Sequence, residues 1–285
     1  MDIRVRLATP ADAPECGRIC YEAFAAIADH HRFPAEFPSC SPAAALIAAL
    51  SAHPGIFGLV AEHDGGIIGS NFLDERSTIF SVGPLTVAPV VQNCGVGTTL
   101  MREVLQRCTA QHTPGVRLVQ VAYHNRSMSL YAKLGFDVRE PLVAVQGHPV
   151  KLAYPGYGIR AAVDSDLEEC DALCVRVHGH DRAGELKDAV AESAARVVER
   201  HGRITGYTTG IGFFTHSVAE TNDDLIALIS AAEAFPGPGF LVPARNCELL
   251  RWCFRQQLRV VYLLNLMTKG LYQDPRGAYL PSIGY

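Results

Sequence analysis

The chain has 285 residues, 48% hydrophobic and 19% charged, with a formal net charge of −4. That length and apolar share suit one large domain or two ordinary ones around a sizeable core. Charge is even along the chain, 11 basic to 13 acidic residues over 1–150 and 14 to 16 beyond, so nothing is offered to nucleic acid or an anionic membrane. The longest apolar run, 43–50, is too short to span a bilayer, and Met1-Asp2-Ile3-Arg4 lacks the apolar core of a signal peptide. Nine cysteines with no CxxC read as reduced thiols. The expectation is a soluble, cytoplasmic, globular protein.

In chain order, the pattern predicts a strand at 3–7 and a helix starting near Asp12, where an acidic residue suits the N-terminus. A helix at 42–52 and strands at 57–62, 67–73 and 79–87 follow, with Asp64-Gly65-Gly66 as a hairpin turn. A helix over 97–111 carries Leu100, Val104, Leu105 and Cys108 on one face. A buried-type strand at 116–122, a short helix at 127–134 ended by Gly135, and strands at 136–139 and 143–146 come next. After the turn-rich stretch 148–158, a strand at 158–162, a helix start at Asp166 and a helix over 225–235 continue the chain. Strands and helices so mixed predict an α/β or α+β fold with a mixed sheet.

The chain repeats itself. Arg6, Ala8, Asp12, Glu15, Cys16 and Cys20 fall on Arg160, Ala162, Asp166, Glu169, Cys170 and Cys174 at an offset of 154, six identities in 15 positions where chance gives about one. Glu62, Gly65, Ile67 and Gly69 fall on Glu199, Gly202, Ile204 and Gly206 at offset 137. Val121 and Asn125 fall on Val242 and Asn246 at offset 121. The expectation is two homologous domains in tandem, 1–150 and 157–285.

In the first copy, the strand ending Leu85-Thr86-Val87 passes through Gln92-Asn93-Cys94-Gly95-Val96-Gly97-Thr98 directly into a helix. Glycines there let a ligand approach the backbone, and a helix N-terminus favours phosphate or pyrophosphate. A P-loop is excluded because no lysine follows Gly97, and a Rossmann GxGxxG because its third glycine is Leu100. Gly83-Pro84 predicts a bulge that splays this strand from the 116–122 strand.

Gln92-x-x-Gly95-x-Gly97 resembles the acetyl-CoA loop of the GNAT N-acetyltransferases. Tyr131-Ala132-Lys133-Leu134-Gly135-Phe136 resembles that family's Y-x-K-L-G-F, with Asn125 after the intervening strand. The likeness covers most of 1–147, and Cys94 departs mildly from the usual residue. It implies tandem GNAT-like acyl-CoA N-acyltransferase domains, with acetyl-CoA as cosubstrate and no metal. The backbone of Leu85, Thr86 and Val87 and the loop Gln92, Asn93, Cys94, Gly95, Val96, Gly97 and Thr98 are implied to bind the cofactor. Asn125 is implied to bond the pantetheine arm or cap its helix. Tyr131 is implied to be the catalytic acid that protonates the departing thiolate. The acceptor is expected to be a small-molecule or peptide amine, with no nucleic-acid or membrane partner, on a monomer or homodimer. The other function considered is a non-catalytic acetyl-CoA sensor or interaction protein.

No base for the amine is visible: Asp74 and Glu75 read as a solvated acidic turn, and His30-His31 falls in an early loop. In the second copy no Gly-x-Gly opens the 225–235 helix. Glu220, Asp223 and Asp224 place negative charge there, and Trp252 stands at the Tyr131 position, so this copy reads as degenerate. The two Cys i,i+4 pairs read as core, and His178-Gly179-His180-Asp181 as a polar loop. The apolar, aromatic end at 277–285 is expected to dock on the protein.

Overall fold

The computed structural model describes residues 1–284. The elements of the first half are β1 (Arg4–Leu7), α1 (Ala13–His31), α2 (Cys40–Ala52), β2 (Ile56–His63), β3 (Gly66–Asp74), β4 (Phe80–Val82), β5 (Thr86–Val87), α3 (Val96–Ala110), β6 (Gly115–Val121), α4 (Asn125–Lys133) and β7 (Asp137–Gln146). Those of the second are β8 (Gly158–Ala161), α5 (Leu167–His178), α6 (Ala183–Ala191), β9 (Arg196–Arg200), β10 (Arg203–Thr208), β11 (Ser217–Ala219), α7 (Asn222–Ser230), β12 (Phe240–Pro243), α8 (Cys247–Arg255), β13 (Arg259–Gly270) and β14 (Ala278–Leu280). The fold is α/β with mixed sheets. Among the described residues no helix is long and apolar enough to cross a membrane.

By contacts the chain forms two compact units: 1–75 with 79–116, and 76–78 with 117–285. The first unit has β1 and β3 antiparallel to β2, with β4 and β5 both on β3. Asp64 and Gly65 turn the β2–β3 hairpin at φ 49° and 78°, the left-handed pair a two-residue turn requires. The α1 stripe Cys16, Ile19 and Cys20 is buried, and its two cysteines pack with Ile47 of α2 and Val60 and Phe72 of the sheet. Gly17 is where the two helices meet: a Cβ there would lie 2.4 Å from the Ala44 Cα. The strand expected at 79–87 is two short strands, because residues 83–85 interrupt it. His30 and His31 lie in the last turn of α1 rather than in a loop.

The second unit contains β6, α4 and β7 together with everything beyond. One sheet runs β6, β13, β7, β12, and another runs β14, β11, β10, β9, β8. β7 is antiparallel to both β12 and β13, with Val143 opposite Val242 and Leu263. The halves are therefore interleaved: a second-half strand lies between β6 and β7, and β7 lies between two second-half strands. Val143 and Val145 share one core with Phe240, Val242, Leu249 and Trp252. The two strands expected at 136–139 and 143–146 are one continuous strand, since it has ladder partners along its length. His178 and His180 do not form a polar loop: both are buried, and burial pushes His180 down to about 4.

The repeat recurs in three dimensions. Arg6 forks onto both Asp12 oxygens at 2.8 Å and meets Glu62 at 2.7 Å. Arg160 does the same with Asp166, at 2.6 and 2.9 Å, and with Glu199 at 2.9 Å. Asp12 and Asp166 each also accept a backbone N–H three residues back, from Thr9 and Val163. His201 and Gly202 turn the β9–β10 hairpin at φ 51° and 77°, as Asp64 and Gly65 do in the first copy.

Candidate active site

In the first unit the ladder fixes which backbone groups are offered. The Ala88 N–H donates to the Ile68 carbonyl at 2.9 Å, with Thr86 opposite Ser70 and Val87 opposite Gly69. Peptide groups alternate in direction along a strand, so those of Thr86 and Ala88 face β3 and that of Val87 faces the other edge. Among the described residues β5 pairs with β3 alone. Thr86 is buried and its hydroxyl meets Ser70 Oγ at 3.1 Å.

The loop beyond is short and tightly held. Gln92 Nε2 donates to the Val87 carbonyl at 3.1 Å, and the Cys94 thiol lies 3.7 Å from the Gln92 carbonyl. Asn93 and Gly95 take left-handed conformations, φ 68° and 90°. α3 starts at Val96 with Gly95 as its N-cap and no side-chain cap. The first-turn N–H groups, those of Val96, Gly97 and Thr98, have no partner within the helix, and the helix dipole adds positive potential there. Val96, Leu100, Met101 and Val104 are buried and anchor the helix, while Asn93, Cys94 and Gly95 are exposed. The structure thus gathers Leu85–Val87 and Gln92–Thr98 around one strand edge and one helix start.

Two acidic groups differ from expectation. Glu75 is not part of a solvated turn: Arg107 grips it bidentately at 2.7 and 2.9 Å while resting on the Phe57 ring. Glu36, which the sequence did not single out, lies half-buried between α1 and α2, and burial pushes its carboxyl up to about 7. A carboxylate in an apolar-looking loop gives no pattern by which to find it. Among the described residues no group of three or more His, Cys, Asp or Glu is arranged to hold a metal ion.

In the second unit α4 carries Asn125 and Tyr131. Its C-terminus explains the Tyr-x-Lys-Leu-Gly-Phe spacing mechanically. Gly135 is left-handed at φ 87°; the Phe136 N–H donates to the Tyr131 carbonyl at 3.0 Å and the Gly135 N–H to the Ala132 carbonyl at 3.1 Å. This is a Schellman cap, whose usual apolar contact is here the edge-on pair of Tyr131 and Phe136, centroids 6.1 Å apart. The cap therefore fixes the Tyr131 ring. Burial pushes its hydroxyl up to about 12, so it stays protonated at neutral pH. Asn125 is the exposed first residue of α4; the N-cap is His124, with no side-chain cap bond, so Asn125 does not cap the helix.

The second copy is built on the same frame with different groups. The cap on α8 repeats that on α4: Gln257 is left-handed at φ 62° and the Leu258 N–H donates to the Cys253 carbonyl at 3.0 Å. The structural offset is thus 122, one more than the sequence blocks suggest. It places Cys247 at the Asn125 position and Cys253, not Trp252, at the Tyr131 position. Cys253 is fully buried and burial raises its thiol to about 12; Trp252 instead donates its Nε1–H to Tyr154 at 3.2 Å. α7 is closed by its own residues, since Thr221 Oγ1 accepts from the Asp224 N–H and Asp224 accepts from the Thr221 N–H. Asp224 is fully buried against Arg200, and Glu220 pairs with Arg203.

Comparison with known proteins places this geometry. The family model described as an acetyltransferase (GNAT) domain matches residues 54–138. A candidate acetyltransferase from Pyrococcus horikoshii superposes with a TM-score of 0.73 at 17% identity, covering 97% of this chain and 94% of its own. A GCN5-related N-acetyltransferase from Sphaerobacter thermophilus gives 0.64 at 17%, covering 95% and 96%. A tandem GNAT protein from the clavulanic acid biosynthesis pathway gives 0.57 at 14%, covering 94% and 98%. No curated protein matches the chain. Residues 54–138 thus match the acetyltransferase (GNAT) domain model, and the chain shares the fold of these solved structures.

Proposed function

We propose that this acetyltransferase moves acetyl from acetyl-CoA to a primary amine of a small molecule or peptide, and that only the first copy does so. The observation that carries this reading is the contrast between two matching helix starts. α3 opens on uncapped Gly95 with no carboxylate anywhere in 88–98, whereas α7 is self-capped and flanked by Glu220 and Asp223. The first leaves its helix start to a pyrophosphate, whereas in the second the Thr221–Asp224 capping box already fills that place. The donor set therefore fits the cosubstrate in the first copy alone.

Acetyl-CoA supplies an activated thioester. Gln92–Thr98 hold its pyrophosphate through backbone N–H groups, and Leu85 and Val87 take the pantetheine arm as an added strand, with Asn125 as a further contact. The Leu85 N–H, one residue before β5, donates to the thioester oxygen as negative charge builds there. Tyr131 donates its hydroxyl proton toward the departing sulfur. A thiol's ordinary pKa, about 8.5, lies well below that of this phenol, so Tyr131 acts chiefly as a hydrogen-bond donor to the developing thiolate. The acceptor attacks as the neutral amine, so its ammonium form must first lose a proton; Glu36, whose carboxyl burial pushes up to about 7, has the basicity to accept it.

Calorimetric titration with acetyl-CoA tests the proposal. One site per chain is expected; no binding overturns it, and two sites overturn the assignment to the first copy.

A further inference from the structure

β11 stands to β10 as β5 stands to β3. The Glu220 N–H donates to the Thr205 carbonyl at 2.9 Å, the counterpart of Ala88 to Ile68, and Ala219 pairs with Gly206 as Val87 pairs with Gly69. Ser217 and Ala219 are therefore the counterparts of Leu85 and Val87, and their peptide groups face away from β10. In the first copy that edge has no partner strand among the described residues. In the second copy β14 occupies it, antiparallel, with Leu280 opposite Ser217 and Ala278 opposite Ala219.

The segment is held like a bound peptide. Its entry is fixed by the Arg276 N–H donating to the Val177 carbonyl at 2.7 Å, and its exit by the Ile283 N–H donating to the Phe213 carbonyl at 2.7 Å. Gly277 has no room for a side chain: a Cβ would lie 2.8 Å from Val177 Cγ2 and 2.9 Å from the Ala219 carbonyl. Tyr279 is buried with its ring edge-on to His178, centroids 4.9 Å apart, and its hydroxyl donates to Glu140 at 3.5 Å. Leu280 is buried in the core that includes Phe240 and Val242. Ser282 is buried and accepts from Arg182 at 3.2 Å.

We infer that the second copy is a peptide-binding slot, and that its occupant is this chain's own C-terminal segment, residues 277–282, added as a strand on the edge that its counterpart in the first copy keeps open. The groove selects an extended peptide by its backbone, with glycine where the entry is narrow, an aromatic hydroxyl next to Glu140 and a branched apolar residue in the core. Strand addition satisfies the β11 edge and removes it as a place for any other extended ligand. The comparison of the two edges rests on the acyl-CoA reading of the first copy, but the occupancy of the second can be tested without it.

The test uses the full-length chain carrying a protease site at exposed Asp274, cut after folding so that the tail remains in place. The tail is expected to co-elute with the cut protein and to exchange saturably with a fluorescent peptide of sequence 275–285. A peptide carrying L280D is expected to bind at least tenfold more weakly, and acetyl-CoA to displace neither. A cut protein that keeps its circular dichroism spectrum but loses the tail and takes up no peptide overturns the inference, as does displacement by acetyl-CoA. Hydrogen exchange on the uncut protein is the second readout. Slow exchange is expected at both 217–219 and 278–280, and free-peptide rates at 278–280 overturn the inference whatever the cut protein does. If acetyl-CoA binds nowhere on the chain, the first-copy proposal fails while these readouts still decide this one.

Discussion

Gly69→Ala separates the two copies most sharply. A Cβ at Gly69 would lie 2.7 Å from the Thr86 carbonyl, 3.3 Å from Val96 Cγ1 and 3.4 Å from Leu100 Cδ1. The first contact is to β5 backbone and cannot be relieved by a rotamer change, so the strand must retreat. The other two press on the first turns of α3. Overpacking of this kind costs about 1–3 kcal/mol of stability. Both pieces proposed to hold acetyl-CoA move, and mis-setting about two backbone hydrogen bonds, each about 1 kcal/mol, is expected to weaken binding by roughly 30-fold. Gly206→Ala is the internal control. Its Cβ would meet Ala219 Cβ and Val198 Cγ1 at 2.9 Å and the Val218 carbonyl at 3.2 Å, a comparable crowding in the copy assigned no cofactor. The expected result is a lowered melting temperature in both variants, with acetyl-CoA affinity reduced only in Gly69→Ala by calorimetry. Wild-type affinity in a destabilised Gly69→Ala protein, or equal losses of affinity in both, would refute the slot assignment.

Tyr131→Phe keeps the edge-on contact with Phe136 and removes only the hydroxyl; turnover is expected to fall by about 10²–10⁴ with the acetyl-CoA Kd unchanged, and unchanged turnover removes Tyr131 from the chemistry. Gly97→Glu puts a carboxylate in the first turn of α3 and is expected to abolish acetyl-CoA binding; retained binding in titration contradicts the loop assignment. Glu36 must be ionised to act as base, so kcat/KM of the wild type is expected to rise with pH through about 7. Glu36→Gln is expected to lose that limb, and a pH profile identical to wild type discards Glu36 as the base.

Local pattern was readable wherever it had a local cause. The Asp64-Gly65 turn, the buried stripe of α1 and the start of α3 after Gly95 follow from side-chain period and glycine conformation, and the structure has them. The repeat was visible at Arg6–Asp12 and Arg160–Asp166 because that ion pair demands the same residues in both copies. What failed had a nonlocal cause. The third repeat block slipped by one because Val121, Asn125, Val242 and Asn246 coincide by letter, while the cap geometry aligns Gly135 with Gln257. Glu75 looked solvated because its partner Arg107 is 32 residues away. Glu36 owes its raised pKa to neighbours brought by folding, and no spacing in the sequence records them.

The interleaving of the halves is the least legible feature. A strand's alternation says which face is buried, not which strand lies beside it. β7 and β13 each carry apolar residues suited to a central position, and nothing in either states that its neighbours come from the other half. Yet β7 finds both its partners in β12 and β13, and Val143 and Val145 bury against Phe240, Val242 and Leu249. A first half lacking β12 and β13 would expose both edges of β7 and one face of that core. On the proposed reading, the second copy lacks only a cofactor loop. Loss of its strands would cost the sheet on which α4, and with it Tyr131, is mounted.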